Sequence, residues 1–201
     1  MKMIFLAIVL AGCSSSSFET DAILIPTSET KGLMSQSVLL IVEERAISRP
    51  IKGIIPGCCT ATVASWNGRT GIFVAWHSVP NNKTLILIGN GITESVGPFV
   101  QLGPKDIGWC AMVLPREWVP FKVAAYKADY GSVIAFGYPM SQDKLKATIG
   151  TDAGIIKNYR KIKGHAEPGM SGGPVVISAS FELIGIVSHR SPGMYFAAII
   201  R

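Results

Sequence analysis

Pro168-Gly169-Met170-Ser171-Gly172-Gly173-Pro174 is the stretch on which the reading of this chain turns. Glycines on both sides of the serine let the backbone enter conformations that a Cβ forbids. The serine then stands exposed, and the amides of Gly169 and Ser171 point together at a spot where negative charge can develop. By itself a glycine–serine turn is a common loop. The residues that come before it give it meaning, because a histidine and an aspartate arrive earlier in an order with chemical consequences.

The chain has 201 residues, which suits one catalytic domain or two small packed subdomains. Hydrophobic residues make up 48% and charged residues 16%, a composition that excludes a disordered chain. Glycine and proline are frequent and well spread, which favours many short strands joined by turns. The formal net charge is +6, and the basic residues are scattered apart from a run over 157–163. That run, which holds Tyr159, is read as a solvated loop, and no nucleic-acid partner is expected.

The first residues read as a sorting signal. Lys2 supplies a positive start, and residues 4–11 form an unbroken apolar run. Spanning a bilayer takes about 20 residues, so this run suits a secretory signal over 1–12 and not a transmembrane helix. Leu10-Ala11-Gly12-Cys13 resembles a bacterial lipobox, which implies a lipid on Cys13. Ser14-Ser15-Ser16-Ser17 then opens a flexible tether over 13–36. The membrane is therefore an expected partner, through the N-terminal lipid, and the cell envelope the expected location. Serine beside that cysteine favours the outer membrane in a Gram-negative host, on its periplasmic or surface face.

Cys58, Cys59 and Cys110 remain, and export allows one disulfide among them. Neighbouring cysteines bridge each other poorly, so Cys110 is expected to pair with Cys58 or Cys59. No metal is expected, because the three histidines lie far apart and no cysteine pair has a ligand-like gap. No cofactor is expected either.

From residue 37 onward the chain reads as strands. Apolar runs over 38–42, 60–65, 71–75, 84–88 and 107–114 are punctuated by Asn67-Gly68, Asn81-Asn82 and Asn90-Gly91. Asn67-Gly68 lies between two such runs and signals a hairpin. After a proline-containing connection comes a second set, over 132–136, 145–149, 153–157, 174–177, 183–188 and 194–199. No long stretch after the signal carries a helical period. Two groups of short strands point to two small barrels or one sandwich.

A serine hydroxyl is a poor nucleophile until a base takes its proton. An imidazole does this near neutral pH when a carboxylate fixes its tautomer. His77 ends one apolar strand and Asp106 opens another, and each alone is an ordinary structural or turn residue. With Ser171 they give the order His, Asp, Ser, the first two in the first strand group and the serine in the second.

These residues resemble the chymotrypsin-fold, trypsin-like serine peptidases, in their compact bacterial and viral form, over roughly residues 37–201. The family's small-residue-then-histidine motif falls on Ala75-Trp76-His77, and its Asp-Ile-Ala on Asp106-Ile107-Gly108. Its Gly-x-Ser-Gly-Gly-Pro falls on 169–174. Gly137-Tyr138-Pro139 matches a second-barrel segment, and Gly185-Ile186-Val187-Ser188 with Pro192-Gly193-Met194-Tyr195 matches a wall of the substrate pocket. The resemblance implies an all-β fold of two six-stranded antiparallel barrels with the site in the cleft between them. The N-terminal barrel would occupy 37–118 and the C-terminal barrel 119–201. It implies a serine endopeptidase acting on protein or peptide substrates, with His77, Asp106 and Ser171 as its catalytic residues and the Gly169 and Ser171 amides as its oxyanion hole.

Departures from the family carry implications of their own. Trp76 stands where the family has a small residue, so packing beneath His77 must differ. Met170 replaces an aspartate that pairs with a freed N-terminus in digestive members, which implies an enzyme competent on folding. By resemblance the pocket is walled by His165, Ala166, Ser188, His189, Arg190 and Gly193. His165 takes the place of the carboxylate that cleavage after Lys or Arg requires, and the pocket cations favour an acidic or polar side chain or else face solvent. The alternative to an enzyme is a surface lipoprotein that keeps the fold without catalysis in order to bind a partner.

Overall fold

Apolar runs without strict alternation mark strands that are buried on both faces, and the architecture shows why this chain has so many. The computed structural model describes residues 34, 36–42, 57–79, 85–139 and 144–200. The signal, Cys13, the tether apart from Met34 and Gln36, the side chain of Cys58 and the Asn81-Asn82 turn lie outside the described residues.

The first half forms one curled antiparallel sheet from β1 (Val38–Val42), β2 (Gly57–Trp66), β3 (Arg69–Val74), β4 (Leu85–Gly89), β5 (Ile92–Val96), β6 (Val100–Gln101) and β7 (Gly108–Ala111). Their order across the sheet is β5-β4-β1-β2-β3-β7-β6, and the short β8 (Phe121–Lys122) adds in parallel to β2. The second half closes into a six-stranded barrel. Its strands are β9 (Ser132–Gly137), β10 (Lys146–Ile156), β11 (Tyr159–Lys163), β12 (Pro174–Ile177), β13 (Leu183–Ser191) and β14 (Met194–Ile199). This is the all-β, two-barrel class expected, with the first half curled as a half-barrel.

Three apolar layers hold it together. Leu39, Ile41, Val63, Ile72, Val74 and Leu87 fill the first sheet, and Val133, Ala135, Ile162, Val175, Val187 and Tyr195 fill the barrel. Phe73, Trp109, Ile134, Phe136, Val176 and Ile186 lie in a third cluster between the two. Ile72 and Val74 thus face one way from β3 while Phe73 faces the other, and Ile134 and Phe136 do the same from β9. Each fully buried Val, Leu, Ile or Phe among them contributes about 1.5–3 kcal/mol.

The Asn67-Gly68 and Asn90-Gly91 turns both form, with φ of 49° and 73° in the first and 48° and 78° in the second. These paired positive values match hairpin twist. The second turn leads into β5, which has little apolar signal in the sequence because Ile92, Glu94 and their neighbours alternate on a sheet edge.

Two expectations need correction. The basic run over 157–163 is not a solvated loop; Lys157 and Asn158 form a turn and the rest is β11. Alternation turns Arg160 and Ile162 inward, and Arg160, 1% exposed, pairs with Asp152 of β10. Its guanidinium carbon also lies 4.2 Å from the centre of the Tyr130 ring, and it donates to the carbonyls of Lys127 and Ala128. The Cys110 disulfide is not formed either, for Cys110 is a free thiol. Cys110 sits on β7 opposite Ile72, inside the first core.

Candidate active site

His77 and Asp106 come together because β3 and β7 run antiparallel, with Val74 opposite Gly108. The segments just beyond that pair leave the sheet side by side. The Trp76 amide donates to the Asp106 carbonyl at 3.3 Å, and the His77 amide to Asp106 Oδ1 at 2.8 Å. His77 Nδ1 lies 2.7 Å from Asp106 Oδ2. A carboxylate only accepts, so Nδ1 carries the proton and Nε2 is left as the basic nitrogen.

Trp76 has room because Gly108 is small. A Cβ on Gly108 would sit 2.9 Å from Val74 Cγ2 and 3.2 Å from Trp76 Cε3. The large residue before the histidine is therefore matched by a missing side chain on the facing strand.

The electrostatics follow from these contacts. The hydrogen bond to Asp106 raises the His77 pKa above its ordinary 6.5, against the opposing effect of burial, and the charges of Asp106 and Cys59 raise it further. Burial by itself would raise the Asp106 carboxyl. The hydrogen bonds from His77 and Ser188 outweigh it and hold that carboxyl below its ordinary value.

Ser171 is set by a clamp from the other half of the molecule. Thr60 and Thr62, one face of β2, are both fully buried and turned toward the serine turn. Thr60 Oγ1 donates to the Gly169 carbonyl at 2.8 Å, and Thr62 Oγ1 to the Gly172 carbonyl at 2.7 Å. The Thr60 amide donates to the Ser171 carbonyl at 2.9 Å. Gly172, at φ 85°, passes so close that a Cβ there would lie 2.1 Å from the Thr60 carbonyl oxygen. Only glycine fits that crossing.

From the barrel side, the Gly172 amide donates to the Val187 carbonyl at 2.7 Å and the Val187 amide to the Gly173 carbonyl at 2.8 Å. Met170, 0% exposed, lies under the turn, with its Sδ accepting from the Glu167 amide at 3.4 Å. The amides of Met170, Gly172 and Gly173 all have backbone acceptors. Those of Gly169 and Ser171 have none among the described residues.

Ser188 links the two parts. Its Oγ donates to Asp106 Oδ2 at 2.5 Å, and its carbonyl accepts from Ser171 Oγ at 3.3 Å. Ser171 Oγ thus faces the Ser188 carbonyl and does not hydrogen-bond the imidazole in this arrangement. The His189 ring Nδ1 lies 3.1 Å from Ser188 Oγ, and the ring stacks on Phe196 with centroids 4.5 Å apart.

A cavity of about 370 Å³ opens beside the turn, lined among others by His165, Ala166, Arg190 and Gly193. Four of the expected pocket residues are therefore together. Ser188 and His189 stand outside its lining, the first turned to Asp106 and the second to Phe196. No group of His, Cys, Asp and Glu among the described residues is arranged to hold a metal.

No protein-family model matches this chain, and no curated protein does. Solved structures do. The Rv3671c protease of M. tuberculosis in its active form superposes with a TM-score of 0.63 at 19% identity, over 96% of this chain and 89% of that one. A serine protease of a human pathogenic astrovirus gives 0.62 at 18% identity, over 83% and 91%. The serine endoprotease of Yersinia pestis gives 0.63 at 18% identity, over 88% of this chain and 64% of its own.

The fold is that of the chymotrypsin-like serine proteases.

Within this chymotrypsin-like fold, sequence reading missed Thr60, Thr62 and the Asp106 contact of Ser188. Their partners lie 109, 110 and 82 positions away, so nothing local announces them. The one available hint was a pair of threonines at strand spacing in an otherwise apolar run.

Proposed function

We infer that this chain is a serine endopeptidase that hydrolyses peptide bonds through an acyl-enzyme. The observation that supports the reading best is the convergence of three features: the His77–Asp106 pair, the clamped Ser171 turn, and the two uncommitted amides at Gly169 and Ser171. In the proposed reaction Ser171 Oγ turns from the Ser188 carbonyl to His77 Nε2, gives up its proton and attacks the substrate carbonyl. Contacts of this kind are often loose in an empty site and tighten with substrate. The oxyanion forms opposite the Gly169 and Ser171 amides. His77 then protonates the leaving amine, and water repeats the sequence to release the acid. Buried Met170 supports the turn from below, so competence does not depend on a freed N-terminus.

Export and lipidation belong to the same proposal and rest on the sequence alone: a signal over 1–12, a lipid on Cys13 and a tether leading to the barrels. The site tests the enzymatic part directly. Purified protein is expected to cleave casein or a quenched peptide, and Ser171→Ala to abolish the cleavage. Equal activity in both proteins refutes the assignment. For the anchor, a clickable fatty acid fed to expressing cells is expected to label wild type and not Cys13→Ser.

The orientation of Ser171 Oγ toward Ser188 favours one other reading, a non-catalytic binding protein on the same fold. Failure of folded wild type to cleave any peptide supports that reading.

A further inference from the structure

We propose that the cavity beside Ser171 selects a carboxylate side chain, glutamate or aspartate, at the residue whose carbonyl is attacked. This rests on the peptidase reading and names the substrate class for that same site.

Position comes first. Ala166 leads directly into the Ser171 turn, and Arg190 follows Ser188, whose carbonyl holds Ser171 Oγ at 3.3 Å. A substrate held with its carbonyl at Ser171 therefore has this cavity within the same two segments to receive the adjoining side chain. The two walls are tied to each other by the Gly164 amide, which donates to the Gly193 carbonyl at 3.2 Å. The volume, about 370 Å³, is ample for one side chain.

Charge decides the rest. His165 and Arg190 both line the cavity, and none of its described lining residues is acidic. The nearest carboxylate along the turn, Glu167, is already engaged: Lys146 Nζ lies 2.9 and 3.2 Å from its two oxygens. Its charge is thus already met by Lys146, and it does not line the cavity. Guanidinium stays charged at any physiological pH and presents a fork that matches a carboxylate. Both cations are exposed, and buried Ala166 adds a small apolar face to the lining. Gly193 leaves its side open, with nothing within 4 Å of where a Cβ would be. A lysine or arginine side chain entering this cavity would meet like charge with no compensating anion.

The test uses quenched peptides identical except for Glu, Gln or Lys before the scissile bond, after fluorophosphonate labelling has established whether Ser171 is reactive. Glu is expected to exceed Gln in kcat/KM by at least about 10-fold, the worth of a hydrogen bond to a charged group, and Lys by more. Arg190→Gln is expected to bring the Glu-to-Gln ratio close to one, and His165→Gln, at an exposed position, to lower it in part. A wild-type ratio near one, a preference for Lys, or a Glu preference unchanged in both variants overturns the proposal. Loss of labelling instead removes the peptidase reading and this inference with it. Labelling without Glu preference removes this inference alone.

Discussion

Gly172 crosses β2 with no space for a side chain, and Gly172→Ala tests whether that crossing sets the serine. The new Cβ would meet the Thr60 carbonyl oxygen at 2.1 Å and the Ala75 nitrogen at 3.0 Å, both backbone atoms that cannot rotate aside. Ordinary contact requires the turn to retreat from β2 by roughly 1 Å. At that displacement the Thr60 amide bond to the Ser171 carbonyl, now 2.9 Å, and the Thr62 bond to the Gly172 carbonyl, now 2.7 Å, both fail. Each costs about 1 kcal/mol, and a side chain held at φ 85° adds about 1 kcal/mol more. Destabilisation of about 3 kcal/mol is expected in urea unfolding. Misplacing a nucleophile by about 1 Å lowers kcat/KM by about 100-fold.

Gly131→Ala separates strain from displacement. Its φ is 66°, yet a Cβ there meets nothing within 4 Å. That variant is expected to lose about 1 kcal/mol and no activity. If Gly172→Ala is as stable and as active as Gly131→Ala, the clamp does not position Ser171 and the reasoning is wrong.

Two further outcomes follow from the charges. The His77 pKa is raised, so the neutral base appears only above its ordinary 6.5, and kcat/KM should climb with pH through a midpoint above that value. Asp106→Asn removes the cause: the rising limb should move to lower pH while the rate falls about 10⁴-fold, and a pH profile with an unmoved limb contradicts the assignment. In the barrel, Asp152→Ala strips Arg160 of its counter-charge and removes the acceptor of the Tyr130 and Gly154 amides, both at 3.1 Å. Leaving a buried guanidinium unpaired should cost about 3–5 kcal/mol by urea denaturation, and a loss under about 1 kcal/mol refutes it.

What was legible in the sequence was whatever depends on neighbours along the chain. The Asn-Gly hairpins, the apolar runs of β3, β9 and β12, and the glycine-framed serine are local patterns with local causes. β11 escaped because its charge suggested solvent, whereas Arg160 is buried by a partner on the preceding strand. Runs over 145–149 and 153–157 suggest two strands, but β10 runs on through Asp152 as one, with a register shift between Asp152 and Ile155 where it bends from β9 to β11. His165, Ala166, Arg190 and Gly193 gather around one cavity. His189 leaves it because its flat ring finds Phe196 on the paired strand, a cross-strand contact that no spacing rule reveals. The match of Trp76 to Gly108 was likewise hidden, being a relation between two strands and not a property of either.

The most direct test of the central claim is covalent: incubate the folded protein with a fluorophosphonate and locate the adduct by peptide mass mapping. One adduct is expected, on Ser171, absent in Ser171→Ala and strongly slowed in His77→Ala. A folded wild-type protein that takes up no label, or carries it on another residue, contradicts it.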